Sequence, residues 1–387
     1  MHSYLRKLNI FCENNKMKKK VLIYALKMTV GGVEKALLGQ FSQFPNEQYD
    51  ITLVLQNKIG EFLEYIPSYV TVVEHSDWKK VRQIVQSPIY ISAIDALKQG
   101  KISLFFRLSG LFILTKIKNT NKPLIEYALS LINDYPGEYD LAIDYAGPTS
   151  FSSSFVAKKI KATEKWTWVH FDVNRFPIDK KVIDSVYPEF DRINVVSTEG
   201  KKHFDKQFPK LASHTYVFYN IMDLDVIYKL ASTEHNPYNR INSKTIICTV
   251  GRISKEKGQL MTIFSLKELV DAGYDVHWCF VGDGDDLQKC KNLSKELGME
   301  DYVTFAGLQK NPYPWMKYCS VYVQPSEHEG YCITLAEAKL FNIPIVTTSF
   351  TGASEQLKDY KTPNEIVEYD AHEIAGGIRK IIDRLKC

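Results

Sequence analysis

Residues 245–252, with the sequence TIICTVGR, decide the fold class, because a short apolar run ends there in glycine and arginine. Uninterrupted apolar runs of this length are typical of strands buried on both faces of a parallel sheet. Strands and helices then alternate to the end of the chain, with strands predicted at 277–281, 303–306, 320–324 and 344–348 and helices at 257–272, up to 297, 333–342 and 371–385. This alternation predicts an α/β domain.

The same pattern occurs near the start of the chain. The apolar run 21–24 (VLIY) passes into 28–34 (MTVGGVE) and an amphipathic helix from Lys35, and a second strand at 50–55 follows within about 30 residues, the length of a βαβ unit. Further strands are predicted at 70–73, 141–144, 165–169, 192–197 and 215–219. A second α/β domain, with helices on both faces of its sheet, is therefore expected.

The length of 387 residues also favours two domains, because one hydrophobic core seldom serves so long a chain. Serine, asparagine, histidine and proline cluster at 232–237, which predicts a hinge over 223–243. We predict an extension at 1–16, with Met17 as an alternative start, a first domain at 17–222 and a second at 244–387. A cleft between two similar domains would hold the ligand.

The charge is distributed unevenly along a chain of ordinary composition, which is 45% hydrophobic and 24% charged. Residues 1–220 carry 30 basic and 22 acidic side chains, whereas the remainder carries 19 and 23. The basic half is expected to meet an anion, such as nucleic acid, an acidic lipid surface or a phosphorylated substrate. No apolar run reaches the roughly 18–20 uncharged residues of a spanning helix, which argues against an integral membrane protein.

The seven cysteines form no CxxC pair and have no histidine partner at metal-binding spacing. An odd number of scattered cysteines is typical of reduced thiols, and residues 1–20 lack the apolar core of a secretory signal. We therefore expect a cytoplasmic protein, with no bound metal.

Residues 101–122 depart from the globular pattern, because their apolar residues are interrupted by Arg107 and followed by Lys116, Lys118 and Lys122. Such a segment could lie in an anionic bilayer interface, with its phenylalanines inserted. It could equally be an ordinary helix that packs on the sheet and ends in solvated lysines. The sequence leaves both interpretations open.

The strongest chemical signal is 325–338 (PSEHEGYCITLAEA), which follows a strand and opens a helix near Ile333. Free backbone amides at a helix start suit a diphosphate. Glu329 and Glu337 flank this turn, and they would repel an anion. Their expected partners are hydroxyl groups on either side of the phosphates, as in a nucleotide sugar.

A second signal lies at the end of the strand 245–250, where Arg252 and Lys257 follow closely. Ligands of open α/β sheets bind at the carboxyl ends of the strands. A guanidinium and an ammonium there can neutralise a diphosphate leaving group. Basic loops are commonly solvated surface, so the signal depends on the acidic motif about 75 residues later.

Together these motifs resemble the retaining glycosyltransferases of family 4, which have the GT-B fold. The hallmark is a pair of glutamates separated by seven residues, here Glu329 and Glu337, of which the first lies in Pro-Ser-x-x-Glu-Gly-aromatic. The resemblance extends over nearly the whole chain and includes 31–34 (GGVE), 196–197, 219–223 (YNIMD), 281–284 (VGDG), 305–307 (FAG) and 344–346 (PIV). It implies two Rossmann-like doubly wound domains facing each other across a cleft, with the acceptor on the first and the nucleotide-sugar on the second.

The resemblance implies catalytic roles for Arg252, Lys257 and Glu329: the two cations would hold the diphosphate and stabilise its departure, and Glu329 would form a hydrogen bond with the transferred sugar. The donor would otherwise be contacted by Gly31, Gly32, His170, Gly330, Tyr331, Cys332, Ile333, Thr334 and Glu337, the last through the ribose. Cys332 stands where glycine or proline is common in the family, and Ala353 replaces a frequent glycine. No cofactor is implied beyond the donor, and Asp283-Gly284-Asp285 is not interpreted as a metal site.

The expected reaction is transfer of a sugar with retention, from a UDP-hexose or UDP-N-acetylhexosamine to a glycan or lipid-linked acceptor of bacterial surface polysaccharide, such as capsule or lipopolysaccharide. The protein would be cytoplasmic or peripheral on the inner membrane face, through residues 101–122. The main alternative is a non-catalytic binding subunit with the same fold. A dehydrogenase is disfavoured because 282–284 lacks the third glycine of a dinucleotide loop, and a nucleic-acid binder because no such motif occurs.

Overall fold

A computed structural model describes residues 18–233 and 235–386. The predicted extension at 1–16 and the alternative start at Met17 lie outside them. The chain divides into two compact units. The first contains the residues before Val30, then Gln40–Val195 and Lys201–Phe218, and the second contains Val30–Gly39, Val196–Gly200 and the chain from Tyr219 onward.

The first unit contains, in the described part of the chain, a sheet of seven parallel strands in the order β3-β2-β1-β4-β5-β6-β7. They are β1 (Lys19–Ala25), β2 (Tyr49–Leu55), β3 (Val70–Glu74), β4 (Glu138–Asp144), β5 (Lys161–Val169), β6 (Arg192–Val195) and β7 (Thr215–Val217). Each strand predicted from the first half of the sequence is present, displaced by a few residues at its ends. The continuous apolar run of β1 is buried, as expected for a central parallel strand.

Helices fill the connections between these strands. They are α1 (Gly32–Gln40), α2 (Trp78–Gln86), α3 (Ile89–Lys98), α4 (Ile102–Lys118), α5 (Lys122–Ser130), α6 (Ser150–Lys159), α7 (Lys180–Val186) and α8 (Thr198–Gln207). Short 3-10 turns lie at Phe41–Gln43, Glu61–Tyr65, Tyr187–Glu189 and Pro209–His214. A smaller apolar cluster beneath α3, α4 and α5 supplements the main core of this unit.

The second unit contains six parallel strands among the described residues, in the order β10-β9-β8-β11-β12-β13. They are β8 (Thr245–Val250), β9 (Val276–Val281), β10 (Val303–Gly307), β11 (Val321–Gln324), β12 (Ile345–Thr348) and β13 (Asn364–Val367). The helices are α9 (Leu224–Ala231), α10 (Gln259–Asp271), α11 (Leu287–Glu296), α12 (Tyr313–Tyr318), α13 (Ile333–Lys339), α14 (Ala353–Leu357) and α15 (Ala371–Lys386), with 3-10 turns at Lys255–Lys257 and Glu300–Tyr302. Apolar clusters lie on both sides of the sheet.

Three features of this unit differ from the sequence-based expectation. The helix predicted over 333–342 ends at Lys339, and Asn342 adopts a left-handed backbone with φ of 51°. Strand β13 is missing from the prediction, because its four residues include asparagine and glutamate and give a weak apolar signal. Residues 223–243, predicted as a hinge, contain α9, and Ile227 of that helix belongs to the apolar core of the second unit.

Each of the two sheets has a reversal of its strand order, and ligands of open α/β folds bind at such a reversal. The strand order reverses between β1 and β4 in one sheet and between β8 and β11 in the other. Loops that leave the carboxyl ends of such neighbouring strands diverge to opposite faces and create a crevice. The predicted basic and acidic motifs follow β8 and β11, so both lie at the reversal point of the second sheet. Within the described residues, no helix combines the length and hydropathy that crossing a membrane requires.

Candidate active site

The loops that follow β8 and β11 lie against each other. The amide of Glu327 donates a hydrogen bond of 2.8 Å to the carbonyl of Glu256. Gly258, with φ of 75°, lies so close to Pro325 that an added Cβ would overlap the Pro325 carbonyl oxygen. Glycine is required here both for its backbone conformation and for the close approach. This contact brings the basic loop and the acidic loop into one site.

A third loop supports the basic one from the side. The amide of Ile253 donates to the carbonyl of Asp283 at 2.9 Å, and the amide of Asp286 donates back to the carbonyl of Ile253 at 3.1 Å. A Cβ on Gly282 or Gly284 would overlap the backbone of residues 251–253. The glycines of 282–284 therefore serve close packing between loops. No group of three histidine, cysteine, aspartate or glutamate side chains in the described residues could hold a metal ion.

Lys257 and Glu329 form an ion pair within this site. The Lys257 Nζ donates to Glu329 Oε1 at 2.5 Å, and the Ser326 hydroxyl donates to the same oxygen at 2.8 Å. Burial disfavours the charged ammonium, but the neighbouring Glu329 carboxylate outweighs it and raises the pKa of Lys257. Lys257 is thus held in its cationic form, and two donors fix the orientation of Glu329.

A chain of neutral hydrogen bonds connects Glu329 to the sheet. The Ser326 hydroxyl accepts a hydrogen bond of 2.9 Å from Gln324 Nε2, and Gln324 Oε1 accepts from Tyr322 at 2.8 Å and from Thr334 at 3.0 Å. Tyr322 and Gln324 belong to β11, a buried strand. The position of Glu329 is therefore set by the core of the sheet, although Glu329 itself lies in a loop.

Arg252 follows β8 directly and its side chain is exposed. Its carbonyl oxygen accepts a hydrogen bond of 2.8 Å from the side chain of Gln259, which lies in the first turn of α10. The backbone at Arg252 is thus restrained while the guanidinium remains in solvent. This arrangement suits a cation that binds a ligand anion.

Glu337 is the most enclosed of the predicted site residues, with 2% of its surface exposed. Lys35 donates to both carboxylate oxygens, at 2.8 and 3.0 Å, and the Tyr313 hydroxyl donates to Oε1 at 2.9 Å. The Lys35 ammonium also lies over the Tyr313 ring, 5.0 Å from its centroid. Burial, followed by the charge of Glu337, raises the pKa of Tyr313, so the phenol remains a donor.

Neither Lys35 nor Tyr313 is among the residues predicted from the sequence. For Lys35 a signal existed: it lies in the first turn of α1, where the helix dipole disfavours a cation. A carboxylate close to the ammonium offsets this effect, and Glu337 provides it. Tyr313 gives no comparable signal, because its spacing resembles that of any helical aromatic residue.

The predicted donor-contacting residues 330–334 comprise the turn before α13 and the first two residues of that helix. Cys332 adopts a left-handed backbone with φ of 59° and is buried, and burial raises the pKa of its thiol. The side-chain amide of Gln356 donates to the carbonyl of Tyr331, and to that of Cys332 at 3.3 Å. The carbonyls are thereby occupied within the protein. Gly32 lies nearby, and a Cβ there would reach the Ile333 Cδ1 at 3.8 Å.

Neither Gly31 nor Gly32 has a positive φ, so the backbone conformation of this turn does not require glycine. The close approach of a ligand to these glycines stays a prediction. A Cβ on Gly31 would overlap the carboxylate of Glu34, in the first turn of the helix that follows. Both glycines lie in the second unit together with Glu337.

His170 belongs to the first unit, where it follows β5. Its Nε2 lies 2.9 Å from the Tyr145 carbonyl oxygen, and burial lowers its pKa to about 4. A neutral imidazole that is hydrogen-bonded within its own unit also fits a structural role. A structural role is common for a lone histidine after a strand, so the predicted donor contact is the weaker assignment for His170.

Comparison with known proteins gives consistent results for the second unit. Residues 231–385 match the family model described as glycosyl transferases group 1. An uncharacterized glycosyltransferase of Methanocaldococcus jannaschii is 27% identical over 211 residues, which is 53% of this chain and 52% of that protein. The chain spans about half the length of the curated relatives it matches.

Two further relatives are named for their reactions. The N-acetylgalactosamine-N,N'-diacetylbacillosaminyl-diphospho-undecaprenol 4-alpha-N-acetylgalactosaminyltransferase of Campylobacter jejuni is 26% identical over 46% of this chain and 47% of its own. The capsular polysaccharide biosynthesis glycosyltransferase CapM of Staphylococcus aureus is 27% identical over 39% of this chain and 40% of its own.

Solved structures extend the likeness to the whole fold. Anabaena Alr3699/HepE in complex with UDP-glucose superposes with a TM-score of 0.65 and 18% identity, covering 95% of this chain and 91% of its own. The apo form of the lipopolysaccharide outer core galactosyltransferase WaaB gives a TM-score of 0.59 and 18% identity, with the same coverage of 95% and 91%. The chain has the GT-B fold, and its residues 231–385 match the glycosyl transferases of group 1.

Proposed function

We propose that the protein is a retaining glycosyltransferase, which transfers a sugar from a nucleotide-sugar to a glycan or lipid-linked glycan acceptor without a metal ion. The donor is a UDP-hexose or UDP-N-acetylhexosamine, and no other cofactor takes part. One observation carries the proposal: Arg252, Lys257 and Glu329 lie on two loops in mutual contact, at the strand-order reversal of the second sheet.

The donor diphosphate binds between Arg252 and Lys257. Two cations at the mouth of a parallel sheet offset the charge of a diphosphate that leaves during transfer. Lys257 is charged and three-quarters buried, so water screens its attraction for a bound phosphate less than it would at an exposed lysine. The exposed Arg252 supplies the planar guanidinium that matches phosphate oxygens.

Glu337 binds the donor ribose. A carboxylate offers about four lone-pair positions, and Lys35 and Tyr313 occupy three through their hydrogen bonds. One position remains for a ribose hydroxyl. Lys35 balances the charge of Glu337 when the diphosphate binds nearby, and we assign it as a positioning residue.

Glu329 accepts a hydrogen bond from a hydroxyl of the transferred sugar. Its Oε1 already accepts from Lys257 and Ser326, and these contacts hold the carboxylate in place. The bond from the anomeric carbon to the diphosphate oxygen breaks, and the acceptor oxygen bonds to that carbon from the same face. The departing phosphate oxygen takes the acceptor proton. Charge stabilisation by the surrounding cations is the protein's main contribution.

The acceptor belongs to bacterial surface polysaccharide synthesis, such as capsule or lipopolysaccharide, and the reaction takes place in the cytoplasm or at the inner membrane face. The relatives from Campylobacter jejuni and Staphylococcus aureus support this assignment, since one is named for a diphospho-undecaprenol saccharide and the other for capsular polysaccharide. The Gly31-Gly32 turn, with the backbone amides of 330–334, completes the proposed donor contacts of the second unit.

The proposal is tested by incubating the full chain with a panel of nucleotide-sugars and measuring release of nucleoside diphosphate, with and without EDTA. NMR of the product reports the anomeric configuration, and mass spectrometry reports the sugar transferred. Release from one donor, with retention and no effect of EDTA, is expected. Inversion would contradict the mechanism, and loss of release with EDTA would contradict metal independence.

The second candidate, a non-catalytic binding subunit, is distinguished in the same assay. Such a protein would bind a nucleotide-sugar in calorimetry yet release no diphosphate with any acceptor. The presence of all four charged residues, Arg252, Lys257, Glu329 and Glu337, favours the enzyme. A subunit that only binds a ligand does not need charges placed around a leaving group.

A further inference from the structure

Helix α4 (Ile102–Lys118) exposes apolar side chains on the face that points away from its own core. Successive helical residues turn by about 100°, so positions 102, 106, 113 and 117 fall within about 60° of arc. We call Ile102, Phe106, Ile113 and Ile117 the apolar stripe. Phe106 is 68% and Ile117 77% exposed, and the opposite face buries Leu108 and Thr115.

The neighbouring helix α3 (Ile89–Lys98) continues this surface. Tyr90, Ile94 and Leu97 lie on one face of α3 and are all exposed, while Ala93 and Ala96 of the same helix pack into the cluster shared with Leu108. The rings of Tyr90 and Phe112 meet at 6.4 Å between centroids, which joins the two helices at this point. Contiguous exposed apolar surface of this kind marks a site of interaction.

The charges around the stripe identify the partner. Residues 89–122 contain six basic side chains and one acidic side chain, a net charge of +5, and the single carboxylate, Asp95, accepts a hydrogen bond of 2.9 Å from Gln83. Lys98, Lys101, Lys116 and Lys118 are exposed. Helices with inserted apolar residues and flanking cations bind anionic lipid surfaces.

We propose that the exposed face of α3 and α4 is a docking surface for an anionic lipid bilayer, with the apolar stripe in the acyl boundary and the lysines on the head groups. The segment 101–122 contains a helix packed on the first unit, as in one of the two interpretations of the sequence. The interfacial interpretation is the one that we propose for its exposed face. Phe106 inserts, whereas Phe105 is half-buried against the cluster beneath.

The proposal stands apart from the transfer reaction, because it concerns a different surface and is measured without donor or acceptor. The full chain is sedimented with phosphatidylcholine vesicles and with vesicles containing about 30% phosphatidylglycerol. Binding to the anionic vesicles, weakened by salt, is expected. Absence of binding to anionic vesicles, or equal binding to neutral ones, would overturn the proposal.

Two sets of variants separate the apolar and ionic contributions. The double variant Ile113→Glu/Ile117→Glu should bind anionic vesicles at least tenfold more weakly, while Leu385→Glu, at an exposed leucine of the second unit, should bind as wild type. Lys101→Glu/Lys116→Glu/Lys118→Glu should also weaken binding at least tenfold. Its control is Lys291→Glu/Lys295→Glu/Lys358→Glu, which changes the net charge equally at exposed lysines of the second unit.

Circular dichroism and urea unfolding of each variant establish that the fold is retained, and hydrogen exchange locates the contact. Amides of residues 102–118 should gain protection when anionic vesicles are added. Wild-type affinity in the Ile113→Glu/Ile117→Glu variant would contradict the proposal. So would a dimer in light scattering that this variant abolishes, since the stripe would then be covered by a second copy of the chain.

Discussion

The two sheets have the same order of their first six strands but contain different chemistry where that order reverses. In the second unit the loops after β8 and β11 carry the ion pair of Lys257 with Glu329. In the first unit β4 ends at this point in Asp144, and His170 follows the adjacent strand β5; both are hydrogen-bonded to neutral partners. Topology thus provides a crevice in both units, and only side chains determine whether it binds an anion.

The energetic consequence differs as well. Burial without an ion pair raises the pKa of Asp144 to about 6 and lowers the pKa of His75 to about 4, so both groups tend toward their neutral forms. The second unit instead retains charges by pairing them. Charged groups suit the binding of a diphosphate, and neutral groups suit a structural core.

The largest effect is expected at the cations of the second unit. Arg252→Ala and Lys257→Ala should each lower kcat for nucleoside diphosphate release by roughly 100–1,000-fold, because each removes charge stabilisation of the leaving group. Lys255→Ala removes an exposed lysine of the same loop and should release diphosphate at the wild-type rate. Equal losses in all three variants would indicate a general effect of loop charge and would contradict a specific site.

The next effect concerns the buried pair of Lys35 and Glu337. Glu337→Gln should reduce the free energy of unfolding of the second unit by about 3 kcal/mol, because it leaves a mostly buried ammonium without its carboxylate. Lys35→Met/Glu337→Gln should recover part of the loss. Asp271→Asn breaks the exposed pair of Lys267 and Asp271 and should cost about 0.5 kcal/mol or less. If the effects of Lys35→Met and Glu337→Gln added up to the effect of the double variant, the double-mutant cycle would show that Lys35 and Glu337 do not interact.

A pH effect should distinguish the first unit. The unfolded His75 imidazole takes up a proton near pH 6.5, whereas the folded one, buried beside the Tyr24 hydroxyl and only partly offset by Asp77, does so near pH 4. The unfolded state therefore binds more protons in this window, and stability falls as pH decreases from 6.5 to 4, by on the order of 3 kcal/mol. Urea unfolding of His75→Gln should show a smaller fall.

Asp144 acts with the opposite sign. Its folded carboxyl holds a proton up to about pH 6, while the unfolded one releases it near pH 3.8, so this group favours the folded state less as pH rises through that window. Asp144→Asn removes the opposing contribution, and the rise of stability with pH should become steeper. Identical pH slopes for wild type, His75→Gln and Asp144→Asn would contradict the account of neutral buried groups.

The smallest effect is expected at the contact between the two loops of the site. Gly258→Ala should destabilise the second unit by about 2 kcal/mol, because it combines a left-handed backbone with overlap at the Pro325 carbonyl. Gly273→Ala is the control, since Gly273 has φ of 81° with nothing near its Cβ position, and should cost about 1 kcal/mol. If thermal unfolding gave the same loss of stability for Gly258→Ala and Gly273→Ala, the close contact between the loops after β8 and β11 would contribute nothing to stability.

Local patterns were sufficient to predict much of the fold and part of the site. The strands buried in parallel sheets gave continuous apolar runs, which is why the strands from β1 to β12 were located within a few residues. Arg252, Lys257, Glu329 and Glu337 were found because each lies near a strand end or helix start that the sequence marks. The roles assigned to them stay predictions.

The sequence by itself determined the α/β class, the restart of the pattern at β8 and the candidate charges, because these depend on neighbours along the chain. Only the tertiary structure decided which charges pair. Lys35 and Glu337 are separated by 302 positions, and no periodicity connects them. The same holds for α4: its sequence is apolar on several sides, and only its packing through Leu108 shows which side faces the core and which faces solvent. Burial and pairing are properties of residues distant in sequence, and folding alone brings them together.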